Sequence, residues 1–128
     1  MNTYSISKTT KYTFGEAVEK TRQSLANQGF GVLTEINVKE TLKKKLDVDY
    51  DDYIILGACN PHKAYRALQA EKEIGLLLPC NVIIYSIKGS VTISAISPVA
   101  IISIMNNSKL SALASDVEEL LGRVIERI

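Results

Sequence analysis

The segment from Ile54 to Tyr85 constrains the fold more than any other, because its pattern indicates a strand, a helix and a second strand in succession. Residues 53–59 (YIILGAC) form an apolar run that is short for a helix and typical of a strand buried on both faces. Residues 79–85 (PCNVIIY) predict the next strand, with proline at its first position, where no ladder donor is needed. Both cysteines and the only histidine lie in this segment, so we expect any reactive site to lie there too.

The helix between these two strands is expected to begin at Asn60 and Pro61. Asparagine is a favoured N-cap, and proline suits the first helical position because its missing N–H has no helical partner there. The predicted helix runs to about Glu71 and is broken by Gly75. Its inner face is predicted to carry Ala64, Tyr65 and Leu68.

The rest of the chain supplies further strands and helices around this unit. Residues 3–10 predict an edge strand, and Thr13 with Glu16 forms a capping-box pattern that begins a helix. The other predicted elements are a strand at 30–36, a helix after Asn37, a hairpin turn at 88–90 and a long last helix after 106–108. The order is therefore strand, helix, strand, helix, strand, helix, strand, strand, helix. This order predicts a single α+β domain with a mixed β-sheet of about five strands and helices packed on it.

Composition limits the class of protein. A chain of 128 residues can bury one core but not two, so residues 1–128 are expected to form one domain. The net charge of +1 gives no electrostatic reason to expect binding to nucleic acid or to an anionic membrane. No apolar run approaches the length that spans a bilayer, roughly 20 residues, and the first ten residues lack a signal-peptide pattern. With two separated cysteines that we expect to be reduced, the chain is predicted to be cytoplasmic.

Three blocks of the sequence resemble one known family. They are FGVLTEINVKETLKKKL (residues 30–46), ILGACNPHKAYRAL (55–68) and IGLLLPCNVIIY (74–85). In this order they are similar to the domain-of-unknown-function family 302, and the resemblance covers nearly the whole chain. That family has no settled activity. The resemblance implies a compact α+β domain that tends to form homodimers, and it leaves the function to be argued from the residues.

Cys59 and His62 stand three positions apart where the predicted strand passes into the helix, with Asn60 between them. The first N–H groups and the dipole of a helix can stabilise a thiolate or bind an anion, which predicts a small-molecule or anion site at this junction. A cysteine and a histidine are also half of a zinc site, so zinc bound by Cys59 and His62 is a further prediction. The alternative is a buried cysteine and a solvent-facing histidine with no joint role.

Cys80 and Glu35 are further candidates for this site. A four-ligand zinc site needs two ligands beyond Cys59 and His62, and Cys80 or a carboxylate such as Glu35 could provide them. The sequence leaves open whether Cys80 lies at the same end of the sheet as Cys59. The helix carries the chain away from Cys59, and residues 72–79 are long enough to bring it back. If the two thiols meet, a thiol-dependent enzyme or redox protein becomes the alternative to a binding module.

Residues 99–105 are apolar on all sides, more so than a lone surface segment should be. Together with the family resemblance, this segment predicts a homodimer. No Walker A, G-x-G-x-x-G or G-x-S-x-G pattern occurs in the sequence, so nucleotide binding and a serine-hydrolase mechanism have no support. The sequence therefore predicts a dimeric module that binds a small ligand or anion, and it leaves open whether the protein is an enzyme.

Overall fold

The computed structural model describes residues 2–128, and its elements follow the predicted order. The strands are β1 (Ser5–Thr10), β2 (Gly31–Asn37), β3 (Tyr53–Cys59), β4 (Cys80–Ile87) and β5 (Ser90–Ile96). The helices are α1 (Phe14–Asn27), α2 (Val38–Leu46), α3 (Pro61–Ala70), α4 (Pro98–Ile102) and α5 (Ser108–Glu126). Two 3₁₀ turns, Lys72–Leu77 and Ser103–Met105, follow α3 and α4. The predicted α+β class is confirmed, and the apolar segment at 99–105 consists of most of α4 and the turn after it.

The five strands form one sheet in the spatial order β1-β5-β4-β3-β2, and β1 is an edge strand as predicted. Every strand pairing within residues 2–128 is antiparallel, so the sheet lacks the parallel pair that a mixed sheet requires. Helices between strands favour parallel crossovers, which is why the sequence suggested a mixed sheet. Here α2 and α3 instead belong to connections that reverse the chain between neighbouring strands.

The main core lies between one face of the sheet and the helices α1 and α5. Leu25 of α1, Ile84 of β4 and Leu121 of α5 are fully buried within it. The core-facing strand residues alternate along the sequence, as expected for strands with one face packed against helices. A smaller cluster of buried residues lies under α3, where Ala67 and Ile74 meet the first half of α5.

The predicted inner face of α3 is wrong in two of its three residues. Tyr65 is 64% exposed and Leu68 is 42% exposed, whereas Ala67 is buried. The helix also ends at Ala70, before Gly75, which lies in the 3₁₀ turn that follows. The inward side of α3 therefore carries alanine, and the larger apolar residues Tyr65 and Leu68 face outward.

Helix α5 is the long last helix that the sequence predicted, and it buries a broad apolar face. Its buried residues are Leu110, Leu113, Ala114, Leu121, Val124 and Ile125. Glu119 and Arg123, four residues apart on its exposed side, form an ion pair with the carboxylate and guanidinium 2.6 Å apart. Neither α5 nor any other helix within residues 2–128 is both long enough and apolar enough to cross a membrane.

Candidate functional site

The junction between β3 and α3 forms as its local sequence predicts. The Asn60 side-chain oxygen accepts a hydrogen bond from the Lys63 N–H at 3.3 Å, and the Asn60 carbonyl accepts one from the Ala64 N–H at 2.9 Å. Pro61 occupies the first turn of the helix. The first turn of α3 is thus closed by the chain itself, since the N-cap satisfies an N–H that would otherwise be unpaired.

Cys59 and Cys80 lie at the same end of the sheet, which settles the question that the sequence left open. After α3, the turn Lys72–Leu77 brings the chain back, and β4 begins beside the end of β3. Cys80 is the register partner of Ala58, so Cys59 is one residue away from the position opposite Cys80. Both thiols are free and half-buried.

A partly enclosed cavity of about 70 Å³ lies at this end of the sheet. Its walls come from the ends of β3, β4 and β5, from α3, the turn Lys72–Leu77 and α4, and from the first half of α5. The lining residues are Phe30, Ala58, Cys59, Asn60, Lys63, Ala64, Ala67, Ile74, Leu77, Leu78, Cys80, Ile96, Pro98, Ile101, Ile102, Leu110, Leu113, Ala114 and Val117. Apart from the two thiols, only Asn60 and Lys63 have polar side chains among them, so the cavity is strongly apolar.

The few polar groups around the cavity are in neutral or paired states. The Lys63 ammonium lies 3.5 Å from the Asp116 carboxylate of α5. Burial, and to a smaller extent the neighbouring Cys59 thiol, raise the pKa of Cys80 from its ordinary value of 9.0 to about 11. Cys80 is therefore a protonated thiol at neutral pH.

The structure brings together three of the five candidate residues. Cys59, Asn60 and Cys80 line the cavity. His62 is exposed on the first turn of α3 and is not part of the lining, and Glu35 is exposed on the edge strand β2, where it forms an ion pair with Arg22 of α1. The geometry thus centres the candidate site on the two cysteines and not on the Cys59–His62 pair.

Zinc binding by Cys59 and His62 stays a prediction. Across residues 2–128 there is no group of three or more histidine, cysteine, aspartate or glutamate side chains placed to hold a metal ion. A zinc site here would need its remaining ligands from a second protomer or from water, as in a partly open site.

Several residues of the site could not be singled out from the sequence. Ile74, Leu110 and Leu113 line the cavity although they lie far from Cys59 in the chain. One local signal was present: Ala64, Ala67 and Ala70 recur at helical spacing along α3, and the first two line the cavity. Helix α3 carries larger apolar residues on its other sides. A row of alanines on one side of such a helix indicates that this side packs closely against neighbouring elements.

The chain is thus a small α+β protein with α1 and α5 packed on one face of an antiparallel sheet and an apolar cavity at one end of that sheet. The chain belongs to the family described as "Domain of unknown function DUF302", which it matches over residues 6–128. It is similar to the "uncharacterized conserved protein DUF302 from Bacillus stearothermophilus", known from a crystal structure. The two chains are 30% identical, the match covers 98% of each, and the TM-score is 0.92. No curated protein matches the chain.

Proposed function

We propose that this protein is a small-molecule-binding domain whose ligand occupies the cavity beneath α3. The cavity itself is the observation that carries the proposal, because ligand sites are typically concave and apolar, with a few polar groups at fixed places. Its volume of about 70 Å³ is near half that of an engineered cavity of roughly 150 Å³ that binds benzene. The ligand, or the part of it that enters, is therefore expected to have only a few heavy atoms.

Filling the cavity from its α3 side should abolish ligand binding. Ala67 is buried and lines the cavity, so Ala67→Leu would place three additional carbon atoms inside it. We expect fragments of about three to six heavy atoms, the size range set by the benzene comparison, to shift the amide resonances of Ala64, Ala67 or Cys80 in the wild-type protein. In Ala67→Leu the same fragments should cause no shift.

The matched control is Ala112→Leu, which adds the same side chain at an exposed position of α5 that does not line the cavity. This variant should bind the fragments as the wild-type protein does. If a broad fragment set leaves the cavity amides of the wild-type protein unmoved, or if Ala67→Leu binds as well as Ala112→Leu, the cavity is not a ligand site.

A thiol-dependent enzyme or redox protein is the second candidate, and the proximity of the two cysteines favours it. Because burial raises the pKa of Cys80 to about 11, Cys80 is poorly suited to act as the attacking thiolate at neutral pH. Cys59, which is half-buried beside it, would have to be the nucleophile. The first proposal does not require either thiol to react.

The outer surface of the cavity cover is where we propose that the homodimer forms. The cover is made of α3, the turn Lys72–Leu77, α4 and the turn Ser103–Met105, and its outer side exposes five large apolar residues. They are Tyr65, Leu68, Leu76, Val99 and Ile104. Exposed apolar residues are candidates for an interface, and the segment at 99–105 that predicted a homodimer contributes two of these five.

Light scattering of the purified protein at micromolar concentration should give twice the 14.1 kDa mass of one chain. Ile104→Asp should convert the dimer to a monomer with its fold intact, because this side chain is 75% exposed and a charge there affects only the interface. Leu46→Asp on α2, at the opposite end of β3, should remain dimeric. A wild-type mass of one chain, or a dimer that persists in Ile104→Asp, contradicts this surface as the interface.

A further inference from the structure

We infer that the ligand of the cavity is an uncharged, predominantly apolar molecule, and not the anion that the strand-to-helix junction suggested. This inference rests on the proposed function, because it names the chemical class of ligand for the same site. It follows from how the charges and hydrogen-bonding groups around the cavity are already satisfied.

The inner walls present only hydrocarbon to a ligand. Ile74 and Leu110 are almost completely buried, and Ala67 and Leu113 complete the side nearest the helices. A charged group placed against these walls would lose its hydration without gaining a partner, which is among the costliest changes a polar group can undergo in a protein. The walls therefore select against charge of either sign.

At the polar end of the cavity, both the Lys63 ammonium and the Lys63 N–H already have partners. The Lys63 ammonium is matched by the Asp116 carboxylate at 3.5 Å, so the pair presents little net charge. The Lys63 N–H of the first helical turn is taken by the Asn60 side chain. An anion would have to displace Asp116 or the N-cap before either group could bind it.

A cation is disfavoured for a different reason. The lining contains no carboxylate that could pair with a positive charge. The Cys80 thiol keeps its proton at neutral pH because burial raises its pKa, so it offers no thiolate. Every buried side-chain nitrogen or oxygen among the described residues already has a hydrogen-bond partner, so the cavity does not call for a polar ligand either.

Three probes with three carbon atoms each and different charge test this inference: propan-1-ol, propionate and propylammonium. Each is titrated into the full-length protein, and binding is followed by the amide resonances of Ala64, Ala67 and Cys80. Propan-1-ol should bind with a millimolar dissociation constant, as expected for so few heavy atoms. Each charged probe should bind at least about tenfold more weakly, because its head group must be desolvated or must remain outside. In Lys63→Met, which lacks the one charged side chain of the lining, propan-1-ol should still bind more tightly than either charged probe.

The outcomes separate this inference from the proposal on which it rests. If propionate binds as tightly as propan-1-ol, and Lys63→Met weakens it, the site exists but takes an anion, and the inference is overturned. If propylammonium binds most tightly, the site takes a cation, and the inference is likewise overturned. If none of the three probes binds, and xenon under pressure moves no cavity resonance, both the inference and the proposed site fail. Ala64→Leu fills the same cavity and replaces Ala67→Leu as the negative control if the latter does not fold.

Discussion

Replacing Gly57 by alanine is expected to lower the free energy of unfolding by about 1–3 kcal/mol, the usual range for overpacking a filled interior. Gly57 is buried in β3, where its neighbours are Thr34 of β2 and the segment that leads into β4. A Cβ atom at this position would overlap the Thr34 hydroxyl and would lie 2.7 Å from Cγ of Pro79. Relieving the overlap requires Thr34 to change its side-chain rotamer and the Pro79 ring to shift away from β3. Denaturant unfolding measures the change.

Gly122→Ala is the matched control, because the same methyl group added there meets no atom within 4 Å. Gly122 lies inside α5, where alanine should raise the free energy of unfolding by up to about 1 kcal/mol. Thr34→Ala should restore part of the loss in a Gly57→Ala background, but not all of it, since Pro79 still lies too close. Equal stability of Gly57→Ala and the wild-type protein would mean that β2 can move aside at no cost.

The parts of the fold that the sequence predicted correctly depend on contacts between residues close in the chain. The N-caps at Thr13, Asn37 and Asn60 all form, each with a side-chain oxygen that accepts from an N–H three residues later. The strand at 53–59 was predicted with its observed bounds. Caps and strand alternation are set by a few neighbouring residues, so a single sequence contains enough information to place them.

The predictions that were wrong, or could not be made, depend on contacts between distant residues. A helix between two strands can lead to a parallel or to an antiparallel pairing. The outcome depends on which strand the next one pairs with, and here β4 pairs antiparallel with β3. The inner face of α3 was misassigned because Tyr65 and Leu68 have larger apolar surfaces than alanine, whereas the side that packs against α5 carries Ala67. Neither the pairing direction of β4 nor the inward side of α3 can be read from the residues of that element alone.

The candidate site shows the same division. Cys59 and Asn60 were found because a strand end and a helix cap mark the junction locally. That Cys80 joins them could not be decided, since the outcome depends on the turn Lys72–Leu77. His62 was a reasonable candidate from its spacing, but the second position of α3 directs it to solvent. The apolar character of the site, which changes the expected ligand, comes from α4 and α5 and appears only once they pack against α3.

Cys80 is expected to react with iodoacetamide about 100-fold more slowly at pH 8 than an ordinary thiol, because its thiolate fraction falls by that factor when the pKa rises from 9.0 to about 11. The measurement uses Cys59→Ser, which leaves Cys80 as the only cysteine, and follows the alkylated mass over time. Burial is the larger cause of the raised pKa and persists in this variant, so most of the effect should remain.

The pH dependence of the alkylation rate distinguishes a raised pKa from simple shielding of the sulfur atom. A shielded thiol of ordinary pKa would react slowly at every pH, with the rate levelling off near pH 9. A thiol with the raised pKa should instead gain about tenfold in rate per pH unit up to about pH 10 and level off only near pH 11. Unfolding the variant in denaturant should return the inflection to the ordinary value, which confirms that the fold is the cause. An inflection near pH 9 in the folded variant would make Cys80 an available nucleophile and would favour the thiol-dependent function over the binding module.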